Sequence, residues 1–358
     1  MMYHIIHTAD LHLDAPFSGL ADGKKATMRQ EELRTSFARI VFCAKNADAL
    51  VISGDLFEGA QVSRTTLEFL KKQFAEIPDK KVFICAGNHD PLTEKSAYRT
   101  FDFGENVHIF GTEPECVETD DVDFYGVSFQ TGNDDRVLLP EFSVKHPEKI
   151  NILVMHGNLA GEGYNPIKPS DIAESGMDYI ALGHIHKGSG LLKSGMTHYA
   201  YPGCHEGRGF DETGEKGVLS VEIGKGIVSA SFVPMQERMY IEEYIDISGA
   251  ESYDDIMEKI RPFYLGNQHV YRLILSGEAS FPVATEIVAE KVEAFSVEVR
   301  DETKPAADLE QLKQEFSLKG LFVKYALEEK ETVSPELFDA AIKAGLSFIE
   351  KEERNENR

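Results

Sequence analysis

The chain has 358 residues, 42% hydrophobic composition and a formal net charge of −24 at pH 7. That length exceeds one ordinary domain of about 100–200 residues and is ample for a packed core, so two domains and a tail are expected. Cys43, Cys85, Cys116 and Cys204 lie far apart with no Cys-x-x-Cys pair, which excludes a disulfide framework or zinc ribbon, and no run approaches the roughly 20 apolar residues of a membrane span.

In chain order, the first element is the apolar run Ile5-Ile6, a buried strand that stops before Asp10 and His12. Residues 35–46 then set Phe37, Ile40, Val41 and Ala44 on one helical face, and Leu50-Val51-Ile52 runs into Asp55. A second helix over 63–77 carries Leu67, Leu70, Phe74 and Ile77, with Val62 and Phe69 off its stripe as candidates for a subunit contact. Val82-Phe83-Ile84 precedes Asn88, residues 152–155 precede His156, and residues 179–182 precede His184 and His186.

Further strands are expected at Leu191-Leu192, His198-Tyr199-Ala200, residues 218–221 and residues 228–230, read as antiparallel strands closing a second sheet. Past Pro234 the pattern becomes strand, helix, strand, helix, strand up to Arg300, a compact α+β module. Residues 306–358 read as helical; Ser334-Pro335 is a helix start, and Phe338, Ala341, Ile342, Gly345 and Ile349 form an apolar stripe. The domain expectation is therefore 1–234, 235–305 and 306–358.

Seven potential ligands, Asp10, His12, Asp55, Asn88, His156, His184 and His186, each follow one of these short strands. Loops that leave the carboxyl ends of strands in a layered α/β fold converge on one edge, so the scatter in sequence is expected. Together the seven could hold two divalent cations. Hard oxygens mixed with imidazoles, and no thiolate, suit Mn, Mg, Fe or Zn, with the first-row metals favoured by the histidines. Asp55 is the bridging candidate, since a carboxylate can span two ions. Such a pair lowers the pKa of water and screens the charge of a phosphate, which implies phosphoester hydrolysis. Each segment alone also reads as an ordinary turn: Gly87-Asn88-His89-Asp90, for one, has the residues of a loop that needs φ > 0. The joint presence and order of all five segments argue for the site.

Asp-x-His, Gly-Asp, Gly-Asn-His-Asp, His-Gly and Gly-His-x-His in that order resemble the calcineurin-type metallophosphoesterases. More particularly, residues 7–14, Gly54-Asp55-Leu56-Phe57 and residues 178–186 resemble the SbcD nuclease subunits and their YhaO-like relatives. The resemblance implies a four-layer α/β/β/α sandwich, a smaller α+β capping domain that orients DNA, and a helical carboxy-terminal segment that grips the coiled coil of an SbcC-like ATPase. It further implies that Asp10, His12, Asp55 and His186 hold one metal ion, that Asp55, Asn88, His156 and His184 hold the other, and that His89 faces the scissile phosphate. Manganese is the expected metal, and a homodimer is a further expectation. Two departures stand out. Glu58 occupies a position where relatives often carry His or Asp, and Tyr201-Pro202-Gly203-Cys204-His205 replaces a more usual Gly-Ser-Pro turn.

A metal-dependent, cytoplasmic DNA exo- or endonuclease subunit acting in DNA repair is therefore expected. The charge of −24 weighs against a polyanionic substrate and no Lys/Arg stripe offsets it. A small-substrate phosphodiesterase or phosphatase of the same superfamily is the enzymatic alternative, and a non-catalytic scaffold that binds DNA ends is the alternative from another class.

Overall fold

The computed structural model describes residues 2–20, 22–159, 161–305 and 309–356. By contact density the chain divides into two units: Met1–Glu242 with Leu265–Arg272 and Glu293–Val297, and Glu243–Tyr264 with Leu273–Val292 and Glu298–Arg358.

The first unit contains strands β1 (Tyr3–Thr8), β2 (Ala49–Ser53), β3 (Lys81–Cys85), β4 (Val107–Ile109), β5 (Glu115–Glu118), β6 (Val122–Val127) and β7 (Ile150–His156). It continues with the short β8 (Asn158–Leu159) and β9 (Pro166–Ile167), then β10 (Tyr179–Gly183), β11 (Leu192–Ser194), β12 (Thr197–Ala200), β13 (Gly217–Gly224) and β14 (Ile227–Pro234). Its helices are α1 (Gly23–Ala44), α2 (Arg64–Phe74), α3 (Ala97–Thr100) and α4 (Pro169–Glu174). Two six-stranded sheets result, ordered β14-β13-β1-β2-β3-β4 and β11-β12-β10-β7-β6-β5. Strands β1 to β4 run parallel to one another, as do β6, β7, β10 and β12.

Strand alternation explains the layers. Ile6, Leu50, Ile52, Val82 and Ile84 point outward from the first sheet and meet Leu33, Phe37, Ile40 and Val41 of α1 with Leu70 and Phe74 of α2. Their neighbours Ile5, Val51 and Phe83 point the other way, against Phe124, Ile152, Val154 and Ala181 of the second sheet. The rings of Phe83 and Phe124 stack there at 3.9 Å. On the far side, Leu153, Met155, Ile180 and Leu182 are covered by Ile172 of α4 and by Leu138 and Leu139. The first unit is thus built as an α/β/β/α sandwich.

Two local expectations need correction. Strands β13 and β14 do not close the second sheet; β13 pairs antiparallel with β1, Val221 opposite Ile5, and β14 extends the first sheet. Alternation identifies such strands but carries no information on which edge they join. Helix α1 begins at Gly23, twelve residues before the expected start, with the Asp22 side chain accepting from the Lys24 amide. Its first turns lack an apolar stripe because the buried residue there is Arg29, whose terminal nitrogens donate to Glu206, Glu32 and the Gly207 carbonyl. Val62 and Phe69 are partly buried against the core, Phe69 edge-on to Phe37 at 6.1 Å.

The later part of the chain holds β15 (Tyr240–Asp246), α5 (Tyr253–Ile260), β16 (Val270–Ser276), β17 (Glu278–Ala279), α6 (Thr285–Lys291), β18 (Ser296–Asp301) and β19 (Lys304–Pro305). Strands β15, β16 and β18 form a three-stranded sheet in that order. Helices α7 (Leu309–Leu312), α8 (Leu318–Glu328) and α9 (Pro335–Glu356) follow. Ser317 and Ser334 start α8 and α9, their hydroxyls accepting from the Gly320 and Leu337 amides. Phe338, Ile342 and Ile349 are buried along α9, while Leu337 and Phe348 are exposed. No helix among the described residues is long and apolar enough to cross a membrane.

Candidate metal centre

Strands β1, β2, β3, β7 and β10 end at one edge of the sandwich, and the residues that follow them turn into the seam between the sheets. The turns are tight. Asp10, His12, Asp55 and His184 all have positive φ (51°, 44°, 50° and 109°), a conformation that costs a non-glycine residue of order 1 kcal/mol or more and is concentrated at functional sites. The backbone is held by the Asp10 amide donating to the Gly54 carbonyl and the His12 amide donating to the Asp55 carbonyl. Gly87 is obligatory here, because a Cβ at that position would overlap the Asp55 carboxylate.

All seven donors predicted from the sequence meet in this seam. Asp10, His12, Asp55 and His186 each offer an atom within 4.8 Å of the others. Nε2 of His12 lies 3.3 Å from Nε2 of His186 and 3.8 Å from Asp55 Oδ2. On the other side of the same carboxylate, His156 Nε2 lies 3.5 Å from Asp55 Oδ2, and Asn88 Oδ1 lies 3.0 Å from both His156 Nε2 and His184 Nδ1. Asp55 Oδ2 therefore stands between the two groups, while its Oδ1 accepts from the His89 amide at 2.9 Å.

The chemistry of these atoms tests whether cations fit. His156 Nδ1 lies 2.9 Å from the Ser53 carbonyl, an acceptor only, so the ring proton sits on Nδ1 and Nε2 presents a lone pair. Burial pushes His156 down to about 4, which keeps that ring neutral. The lone pair faces Asn88 Oδ1 and Asp55 Oδ2, both acceptors as well. His186 repeats the arrangement, with Nδ1 against Glu212 Oε1 at 2.7 Å and Nε2 turned inward. Burial, reinforced by the Asp55 carboxylate, pushes Asp10 above the usual carboxylate range, and burial raises Asp55 as well. Inward lone pairs and crowded, desolvated carboxylates repel one another unless positive charge lies between them, so the donor set fits divalent ions.

His89 sits at the rim, 38% exposed, with Nδ1 3.4 Å from the Glu58 carbonyl and its ring edge-on to His12. Asp90 is an organiser: Oδ1 accepts from the Gly87 amide, and Oδ2 from the Phe57 amide and the Tyr98 hydroxyl. His205, in the departing turn, is fully buried with Nε2 3.1 Å from the Leu33 carbonyl. In the later part of the chain Arg261, Arg272 and Arg300 pair with Glu258, Glu242 and Glu298.

Two residues of the site were missed by sequence reasoning. Glu212 supports His186, and Arg208 joins Glu212 to Glu58, which lies 2.9 Å from His12 Nδ1. Neither belongs to a strand end or a periodic pattern, so no signal in the chain marks them.

Residues 3–188, more than half of the chain, match the calcineurin-like phosphoesterase family. The chain belongs to that family. It is a hydrolase of phosphoester bonds, and divalent metal is the cofactor class that family and donor set support. The chain is 29% identical to the Bacillus subtilis (strain 168) protein named uncharacterized metallophosphoesterase YhaO, over 76% of this chain and 72% of that one. It is 25% identical to the DNA double-strand break repair protein Mre11 of Methanopyrus kandleri, over 88% and 74% of the two chains. A shorter match, 29% identical over 30% of this chain and 26% of the relative, is to a subunit of the nuclease SbcCD of Rhodobacter capsulatus.

Proposed function

We propose that this phosphoesterase is a two-metal phosphodiesterase, a DNA exo- or endonuclease subunit acting in DNA repair in the cytoplasm. The observation that carries the reading is the placement of Asp55 Oδ2 between the His12 and His156 Nε2 atoms, each 3.5–3.8 Å away. Asp10, His12, Asp55 and His186 would hold one ion, and Asp55, Asn88, His156 and His184 the other, manganese being the metal we favour. Such ions supply Lewis acidity, lowering the pKa of water and screening the phosphate charge. The chain itself contributes a dry, preformed ligand set and, at its rim, the His89 imidazole. That ring would steady or protonate the leaving sugar oxygen.

The names of two relatives, a double-strand break repair protein and a nuclease subunit, support DNA as substrate and an SbcC-like ATPase as partner. In this reading residues 1–234 are the catalytic domain, 235–305 a capping domain and 306–358 the segment that meets the ATPase, with a homodimer as the assembly. The net charge of −24 favours a second reading, in which the substrate is a smaller phosphodiester.

Purified protein with Mn²⁺ is given labelled single-stranded and duplex DNA, bis(p-nitrophenyl) phosphate and p-nitrophenyl phosphate. DNA and the diester are cleaved, and His89→Ala loses about 10²–10⁴-fold in kcat with metal content unchanged. Preference for the monoester refutes the nuclease reading; cleavage of the chromogenic diester with intact DNA selects the small-substrate reading.

A further inference from the structure

The two imidazoles assigned to the first metal position are backed by different carboxylates that share one cation. Glu212, 4% exposed, sets Oε1 2.7 Å from His186 Nδ1 and 2.7 Å from Arg208 Nη2. Its Oε2 accepts from the Arg208 amide at 2.8 Å, so the carboxylate is held from several directions. Arg208 Nη2 itself approaches His186 Nδ1 at 3.1 Å, and ring and guanidinium thus converge on the same oxygen. The other prong of Arg208, Nη1, donates to Glu58 Oε2 at 2.8 Å, and that oxygen lies 2.9 Å from His12 Nδ1. The contact with His12 has no hydrogen-bond alignment, so this arm is the looser of the two.

Glu212 is thus held by the His186 ring, by the Arg208 guanidinium and by the Arg208 amide at once. A carboxylate acceptor fixed behind a ligand imidazole sets its tautomer and makes its inward nitrogen a stronger donor. At the second position His156 is backed instead by the neutral Ser53 carbonyl.

We propose that Glu212 is a positioning residue for the metal centre, and that the chain Glu212–Arg208–Glu58 orients His186 and His12 together and so sets the affinity of the first metal position alone. This rests on the two-metal reading above. Arg208 has a distinct part in the arrangement. As a cation it opposes a metal by charge while holding both carboxylates in place, so its removal mixes two opposite effects; Glu212 is the clean probe, since loss of its charge and loss of orientation act in the same direction.

The test is Mn²⁺ binding by titration calorimetry to full-length wild type, Glu212→Gln, Glu58→Gln and Asn88→Ala, with Mn–Mn coupling followed by electron paramagnetic resonance. Wild type binds two ions. Glu212→Gln weakens one of the two steps about 10–100-fold and leaves the other unchanged. Glu58→Gln weakens the same step by less, whereas Asn88→Ala weakens the opposite one. The coupled signal of Glu212→Gln becomes that of isolated Mn²⁺ at low metal and returns as metal is raised. Two unchanged steps in Glu212→Gln overturn the proposal and leave the two-metal reading standing; equal loss at both steps also overturns it. A wild type that binds no Mn²⁺ overturns both. Should Glu212→Gln not fold, Glu212→Asp, which keeps the charge but shortens the reach, carries the same expectation at a smaller loss, and unchanged steps there overturn the proposal.

Discussion

The Ser53 carbonyl lies 2.9 Å from His156 Nδ1, and by this contact a backbone group of the first sheet decides which nitrogen of an imidazole on the second sheet faces the cleft. The site is therefore assembled across the seam and belongs to neither sheet alone.

Metal and stability are linked through that assembly. At about 100-fold excess over its dissociation constant, each bound ion adds roughly 2.7 kcal/mol to the folded state. Thermal melts in Mn²⁺ shift upward by several degrees, and EDTA reverses the shift. His156→Ala keeps only part of it. A melting temperature indifferent to both Mn²⁺ and EDTA in the wild type would count against the metal centre.

Gly183 closes the seam. A Cβ there would overlap the Ser53 carbonyl oxygen and press on His156 Nδ1. Backbone cannot swing aside as a long side chain can, so Gly183→Ala costs about 1–3 kcal/mol in denaturant unfolding and also lowers Mn²⁺ affinity. Unchanged affinity in a folded variant would mean that the seam relaxes without disturbing His156.

His7 is buried between the sheets, with Nδ1 2.9 Å from the Tyr179 hydroxyl and Nε2 3.1 Å from Ser53 Oγ. Burial pushes it down to about 3. Between pH 6.5 and 3 the unfolded chain therefore binds a proton at His7 that the native state does not, and stability falls as pH falls through this window. One such proton is worth about 1.4 kcal/mol per pH unit. His7→Gln keeps hydrogen-bonding groups but does not titrate, so its unfolding free energy declines less steeply from about pH 6.5 to about pH 4. Parallel curves for the two proteins would refute the assignment.

Asp90 supports the loop that carries Asn88 and His89. Asp90→Ala strands the Gly87 and Phe57 amides and the Tyr98 hydroxyl, at a cost of about 3 kcal/mol or more, and Asp90→Asn costs less because one acceptor oxygen remains. Equilibrium unfolding of the two variants ranks them; equal losses would show that the charge, not the acceptor, matters.

How far the site could be read in advance follows from the physics of its parts. Asp10, Asp55, Asn88, His156 and His184 stand where apolar strands stop, a pattern that is local in sequence. Glu212 is 26 positions from His186 and meets it only because the segment after β12 folds back on the site. Nothing local records that. Likewise the apolar alternation of β13 was visible, but its pairing with β1 depends on an edge left open by the rest of the sheet. The start of α1 was hidden because a buried Arg29 takes the place of an apolar residue, and one of its ion-pair partners, Glu206, lies in a distant segment.

The shared Asp55 oxygen has a mechanical consequence. With His12 approaching it from the first sheet and His156 from the second, a cation seated on either side acts as a rivet through the sandwich. Chelation would then unfasten the interior first. Amide hydrogens of β2 and β10 would gain solvent exchange while the outlying β5 and β14 kept theirs, a reversal of the usual fraying from the margins inward.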